Sequence, residues 1–549
     1  MQEACERNPS IVFVILLFSW MIAGLAFSHA IDTPDFCFAL LSMAIVFTSL
    51  IALNGKNFSR KIFILSTAFW AVALRWMLEE LNVVGLMLYV ACIFIGNVHL
   101  QVVCMAYSRC ETSILRLSIA PLAWAGLEEF RNYISIGMPW YFLCYAFSDV
   151  PVFIQSADTL GAAGVSGLAL LVTLTLIETC RLWFDETTKV SMPVVIVSFT
   201  LIGSNLLYGN QILNERSREG GSAKMKVGIV QTNLTIQRLN RLNGESIAHE
   251  WHSLTSRAAA LNPDITITPE LVFPTPLSIA NYCGIESEVV PENWLISASP
   301  IAVNENSADL LKRYLCTIPR EHLIIVGAKT TSGDYGLSAF NNSAVVINPL
   351  SRITAAYAKR MCIPLFESDV LGKSLCGAFP FIPGKWNDDL TIPLNVNNEI
   401  PISAAILICY EDALSSIYHR YWMQSEQEKP KKLVFLSIGN ESMTLSTRRH
   451  HIAAVKFRAI EFRSPVVRAV NTGVSGNIDA YGILESSIPE CSESGGEGEV
   501  IIAAVDFSDL QAWYPLYRGL LCNFYALILL MVTCTFLYFL VLEKKNGNS

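Results

Sequence analysis

Three residues of types that do nucleophilic chemistry stand at the ends of apolar runs. Ala404-Ala405-Ile406-Leu407-Ile408 contains β-branched members and reads as a buried strand; it stops at Cys409, followed by Tyr410, Glu411 and Asp412. Ile265-Thr266-Ile267-Thr268-Pro269 leads in the same way to Glu270, and Tyr357-Ala358 leads to Lys359. A thiol is only a few per cent thiolate at neutral pH, so a nucleophilic cysteine needs an adjacent base. Glu270 would take that proton and later deliver it to the leaving group. Lys359 would hold positive charge against a tetrahedral oxyanion, with the backbone N–H of Tyr410 as a second donor. Each residue alone has a plainer reading: Glu270 as a helix cap, Lys359 as a solvated amine, Cys409 as a small packed hydrophobe. As a set they are the residue types that nucleophilic catalysis by a thiol needs.

The elements that must position them divide the chain. Its 549 residues exceed one ordinary domain, and 52% hydrophobic against 16% charged residues is too apolar for an all-soluble protein. The apolar residues are concentrated at the two ends. Residues 1–215 read as a seven-span membrane domain with spans near 11–30, 36–53, 61–77, 84–107, 113–126, 158–181 and 191–209, the fifth interrupted by Pro121. The first has no convincing small-residue cleavage site and reads as a retained anchor. Residues 519–542 form an eighth, returning span.

Lys56, Arg60, Lys61, Arg109, Arg116, Arg181 and Lys189 fall in or beside one set of loops, whereas Asp32, Asp35, Glu79, Glu80, Glu128 and Glu129 fall in the alternate set. The basic set belongs in the cytoplasm, which places both termini there and the domain at 224–510 on the outer side of a cytoplasmic membrane.

That domain carries strand candidates at 226–231, 265–268, 323–328, 344–347, 402–408, 433–438, 466–470 and 500–505, with helices at 245–261 and 447–462 between some of them. Alternating helices and near-continuous apolar strands predict an α/β domain with covered sheets. No Gly-rich phosphate loop or dinucleotide fingerprint appears, and the net charge of −8 offers no basic surface of the kind nucleic acid requires. Of the fifteen cysteines, Cys283, Cys316, Cys362, Cys376, Cys409 and Cys491 lie in this domain, and none forms a CxxC pair. Neither a metal nor an organic cofactor is implied.

The order Glu270, Lys359, Cys409 at the ends of α/β strands resembles the triad of the nitrilase superfamily. More specifically, Tyr357-Ala358-Lys359 followed by Ile363-Pro364-Leu365-Phe366-Glu367 resembles the Y-x-K…V-P-F-G-E stretch of the apolipoprotein N-acyltransferase family, and Ile408-Cys409-Tyr410-Glu411 is similar to its I-C-Y-E. Phe457 to Pro465 resembles its R-A-x-E-x-x-R-P helix end, Asn471-Thr472-Gly473-Val474-Ser475 its N-N-G-V-T loop, and Gly137-Met138-Pro139-Trp140 its G-F-P-W. Three features depart from the pattern. Phe366 replaces the expected glycine, Asn440-Glu441-Ser442-Met443 stands where W-F-G would follow an N-D pair, and no tryptophan occurs in 232–243.

The resemblance implies an α-β-β-α nitrilase-like domain flanked by about eight spans, in a bacterial inner membrane. It implies Glu270, Lys359 and Cys409 as catalytic, with Glu367, Tyr410 and Glu411 supporting the site. Arg131 and Trp140 are candidate lipid-substrate contacts, and Trp140 and Tyr141 alternatively read as interfacial aromatics. The reaction implied is transfer of an acyl chain from a membrane phospholipid, through a cysteine thioester, to the α-amine of the N-terminal diacylglyceryl-cysteine of apolipoproteins.

Two other readings stand beside it: a membrane-tethered nitrilase-type amidase or hydrolase, in which water resolves the thioester, and a catalytically degenerate lipid- or lipoprotein-binding membrane protein. A transporter is disfavoured because the spans carry no evident intramembrane charge pair. Four smaller features have plain readings. Gly161 to Gly167 provides small residues for helix packing; His450 and His451 are adjacent, so they point apart. Arg448, Arg449, Lys456 and Arg458 form a solvated face or meet anionic headgroups; 485–499 is an acidic surface loop.

Overall fold

The computed structural model describes residues 9–546 except 54–56, 79–82, 134–138, 140, 185–189, 219–224, 275–276, 279–317, 319–322, 332–339, 349–352, 364–366, 368–380, 385–390, 395–400, 428–431, 443–444 and 493–494. The chain forms two compact units, Met1–Ser217 with Ala512–Ser549, and Arg218–Gln511.

The first unit is helical. Helices Pro9–Asp32, Phe36–Ser49, Phe58–Ala73, Val83–Arg109, Ser113–Arg131, Ala157–Phe184, Met192–Arg216 and Tyr514–Asn546 occupy the stretches where spans are expected. Five of them, beginning at Ser10, Leu86, Ala157, Met192 and Tyr514, contain segments long and apolar enough to cross a membrane. The Ser113–Arg131 helix runs through Pro121 and extends past the expected end at 126. Glu128, Glu129 and Arg131 are therefore buried in its last turns rather than placed in a following loop.

Gly161 does provide close packing: its φ is +68° and a Cβ there would lie 2.5 Å from the Tyr514 ring. A buried charge cluster is also present, contrary to the expected lack of one. Glu178 pairs with Arg116 at 3.0 Å and Arg181 at 3.1 Å.

The second unit has two sheets. The first runs β13-β1-β2-β4-β5-β6, with the short β3 (Leu277–Ser278) beside β4; the second runs β12-β11-β10-β9-β8-β7. The strands of the first are β1 (Met225–Gln231), β2 (Ile265–Ile267), β4 (Leu323–Thr331), β5 (Asn341–Ile347), β6 (Ile353–Ala358) and β13 (Glu499–Val505). Those of the second are β7 (Thr391–Leu394), β8 (Ile402–Ile408), β9 (Lys432–Gly439), β10 (Val466–Val470), β11 (Ser475–Ile478) and β12 (Leu484–Ile488).

Apolar residues of the two inner faces pack together, with Ile229, Ile267, Ile325, Val346 and Tyr357 meeting Ile406, Ile408, Leu436 and Val467 in one core. Trp251 on helix Gly244–Ala259 covers the outer face of the first sheet, packing with Ile324, Val326 and Val345. Tyr418 and Phe462, on helices Ser415–Gln427 and Leu445–Phe462, pack on Phe435 of the second. The layers are α-β-β-α, as the resemblance implies.

All eight expected strands are present, β8 and β10 with the expected bounds and the other six with one or both ends shifted. Those not anticipated, β3, β6, β7, β11 and β12, are short or carry Ala, Gly, Asn, Ser or Pro, and pairing with neighbours makes them strands. β12 overlaps the start of what reads in sequence as a surface loop at 485–499. The basic helix face is also corrected. Arg448 is buried and donates to the carbonyls of Glu441 and Cys491 (both 2.9 Å), and Arg458 is buried against Glu461 at 2.9 Å.

Candidate active site

Cys409 begins immediately beyond β8, where the strand turns into the 3₁₀ segment Cys409–Ala413. Its φ of +51° is uncommon for a residue with a side chain, so the surrounding contacts must hold it. Glu411 supplies several. One carboxylate oxygen, Oε2, accepts the N–H of Ile408 at 2.9 Å. The other, Oε1, accepts the N–H groups of Arg360 (2.8 Å) and Met361 (3.2 Å) and the Tyr357 hydroxyl (2.9 Å). Glu411 is fully buried and thereby ties the cysteine turn to the segment carrying Lys359. Burial raises its pKa, and the backbone donors of Arg360 and Ile408 oppose that rise.

Tyr410 is buried in the same turn, and Asp412 accepts from Ser437 Oγ at 2.8 Å and Arg468 Nε at 3.2 Å. Arg468 also pairs with Glu441, which in turn contacts His451 Nδ1 at 2.8 Å. His451 is therefore part of a buried ionic network behind the turn.

Lys359 follows β6, and its N–H donates to Asn342 O at 2.7 Å. Its Nζ lies 3.3 Å from Glu270 Oε1 and 2.7 Å from Glu367 Oε1. Glu367 is secured by the Ile363 N–H on Oε2 at 2.7 Å. Burial disfavours the ammonium, but the two carboxylates outweigh it and hold the lysine proton well beyond its ordinary range.

Glu270 follows β2 in the first sheet, yet its N–H reaches Gly439 O at 3.4 Å. Gly439 ends β9, the strand paired with β8 through Ile408 opposite Ile438, so the glutamate is tied to the strand beside the cysteine. Burial, followed by the negative charge of Glu270, pushes the Cys409 thiol well above its usual range, while Lys359 pulls it down.

Of the residues singled out in sequence, Glu270, Lys359, Glu367, Tyr410, Glu411 and Cys409 converge at one end of the two sheets. Arg131 lies in the helical unit, where its NH1 is 3.4 Å from Tyr141 O and its guanidinium sits 5.4 Å over the Phe142 ring. Trp140 and Phe366 lie outside the described residues. Asn342 is the main member that the sequence reading missed. It is fully buried and its Nδ2 donates to Glu270 Oε1 at 2.5 Å. Its one signal is polarity, since Asn341-Asn342-Ser343 opens an otherwise apolar strand. Among the described residues, no group of three or more His, Cys, Asp and Glu side chains is placed to hold a metal ion.

Known proteins bear on the identity of this arrangement. The family described as Apolipoprotein N-acyltransferase N-terminal domain matches residues 21–175. An apolipoprotein N-acyltransferase of Geobacter metallireducens is 25% identical over 415 residues, covering 73% of each chain. That of Chlamydia trachomatis is 22% identical over 529 residues, covering 90% of this chain and 92% of its own. That of Pasteurella multocida is 23% identical over 511 residues and covers 89% of each.

Among solved structures, a nitrilase-superfamily amidase of Nesterenkonia AN1 aligns with 54% of this chain and 96% of its own, at 14% identity and a TM-score of 0.34. A Saccharomyces cerevisiae member of branch 10 of that superfamily covers 54% and 94%, at 13% identity and a TM-score of 0.36. The long sequence matches cover both the helical part and the α/β unit, so the chain is similar to apolipoprotein N-acyltransferases over most of its length.

Proposed function

We propose that the protein transfers an acyl chain from a membrane phospholipid to the α-amine of the N-terminal diacylglyceryl-cysteine of apolipoproteins, by way of a thioester on Cys409. The observation that carries this reading is the meeting of Glu270, Lys359 and Cys409 from three strand ends on two sheets. Oε1 of Glu270 already accepts from Asn342 and Lys359, which leaves Oε2 to take the thiol proton. As that proton moves, sulfur attacks the ester carbonyl and the developing oxyanion is met by the Lys359 ammonium and the Tyr410 N–H. Loss of an oxyanion donor typically costs about 2.7–4 kcal/mol.

Collapse of the intermediate breaks the ester C–O bond, and Glu270 returns its proton to the departing lysophospholipid oxygen. The lipoprotein amine then attacks the thioester; Glu270 takes a proton from nitrogen and passes it to sulfur, giving an amide and the free thiol. Glu367 keeps Lys359 in place, and Tyr410 and Glu411 hold the nucleophile turn. Arg131 and Trp140 are proposed to contact the lipid substrates.

Both substrates are confined to a bilayer, which accounts for a catalytic domain at 224–510 placed between a seven-span domain at 1–215 and a final span at 519–542. The alternation of charge in the loops supports an orientation with the catalytic domain outside the cytoplasmic membrane and both termini inside.

The test is intact mass spectrometry of the full chain incubated with phosphatidylethanolamine, alongside Cys409→Ala. The expected result is an added acyl mass, removed by neutral hydroxylamine and absent from the variant, which then moves to an added diacylglyceryl-cysteine peptide. Discharge to water in the presence of the peptide would identify a hydrolase. No adduct on the wild-type protein with lipid bound would identify a binding protein and refute the reading.

A further inference from the structure

Lys329 occupies a position the reaction above does not use. The inward row of β4 is apolar through Leu323 and Ile325, which pack in the inter-sheet core, whereas Ile324, Val326 and Ala328 face the covering helix. The row continues through Gly327 to Lys329. Gly327 lies directly beneath the base, since a Cβ there would sit 2.6 Å from Glu270 Cα and 2.1 Å from Pro269 O. Lys329 is two residues farther along, about 6–7 Å toward the strand end at ~3.3 Å per residue.

It also stands directly opposite Asn342 in the β4–β5 register. Ser343 is opposite Ala358, and the Lys359 N–H bonds to Asn342 O, so Lys329, Asn342 and Lys359 form one cross-strand row. Directly opposed side chains share a face, with Cβ atoms ~4.5–5.5 Å apart. Lys329 is half-buried, and burial lowers its proton affinity. A lysine following Leu323, Ile325 and Gly327 in an inward row breaks the packing pattern next to the reacting groups, where such breaks mark function.

We propose that Lys329 is a specificity residue that receives the phosphodiester of the acyl donor while the scissile ester lies at Cys409. The inference rests on the acyl-transfer reading and names the part of the donor recognised. The ester carbonyl and the phosphate of a phospholipid are separated by a glycerol unit, so a phosphate-binding cation must stand beside the oxyanion site and not within it. Lys359 serves the oxyanion and is already engaged by two carboxylates. Lys329 is the next cation along the row, on the far side of Asn342.

The experiment compares full-length wild type with Lys329→Gln and Lys329→Arg, measuring the rate of acyl-enzyme formation without acceptor. The two donors are phosphatidylglycerol and p-nitrophenyl palmitate, an ester without phosphate. A charge-assisted contact predicts that Lys329→Gln lowers the preference for phosphatidylglycerol over the nitrophenyl ester about ten- to a hundredfold, and that Lys329→Arg keeps most of it. An unchanged preference, whether both rates fall together or neither falls, would overturn the assignment while leaving the thioester reading intact. Failure of wild type to acylate Cys409 from either donor would remove both.

Discussion

Glu411→Gln separates the two halves of one buried carboxylate. The side chain is isosteric, and its carbonyl can keep the three donors now on Oε1, from Tyr357, Arg360 and Met361. Its NH₂ then faces the Ile408 N–H that Oε2 accepts today. The opposite flip is worse, because it sets the NH₂ against two N–H groups. The substitution removes one charge-assisted bond, worth roughly 1.5–3 kcal/mol, and strands a buried N–H at about 1–3 kcal/mol. Burial of the carboxylate charge, which raises the Glu411 pKa, offsets part of this because the amide has no charge to desolvate.

The net is about 3 kcal/mol, focused on the residue preceding Cys409. If the turn relaxes locally, thioester formation slows roughly a hundredfold at ~1.4 kcal/mol per tenfold. If the whole domain bears the cost, Tm falls by roughly 5–10 °C. Acyl-enzyme formation by intact mass and thermal unfolding of the same sample read both. A variant that acylates at the wild-type rate and unfolds at the wild-type temperature would refute the claim that Glu411 holds the nucleophile turn.

Two further predictions follow from the same contacts. Asn342→Ala removes a buried donor to Glu270 Oε1 and should slow acylation ten- to a hundredfold, from roughly 1.5–3 kcal/mol for a bond to a charged group, with KM for the donor little changed; a loss confined to KM would contradict it. Peptide-resolved iodoacetamide labelling of Cys409 across pH should rise toward a midpoint above the ordinary thiol range, because burial and the Glu270 charge disfavour the thiolate. Glu270→Gln should lower that midpoint while abolishing acyl transfer, and Lys359→Met should raise it; movement of both in one direction would contradict the proposed charge balance.

The sequence by itself determined the parts whose signals are local. Apolar runs, with a hydrophobic pattern dense enough to require burial on both faces, marked β8 to its last residue at Ile408 and placed Cys409 beyond it. Eight apolar stretches marked the helices of the first unit, and family-like spacing marked Glu270, Lys359 and Glu367. Tertiary structure decided what depends on partners distant in sequence. β6 became a strand by pairing with β5, although Ala355-Ala356 at its centre carries little strand preference of its own.

The Ser113–Arg131 helix kept Glu128, Glu129 and Arg131 because burial there came with hydrogen bonds: Glu128 accepts from Trp124 Nε1 at 2.7 Å and Leu143 N at 2.9 Å. Arg448 and Arg458 read as solvated because a lone arginine belongs in water, but carbonyls and carboxylates from other elements satisfy both inside the domain. Asn342 and the double tie of Glu411 escaped notice for the same physical reason. A hydrogen bond is specified by the meeting of donor and acceptor in space, and periodicity along a chain carries no record of a meeting between residues seventy positions apart.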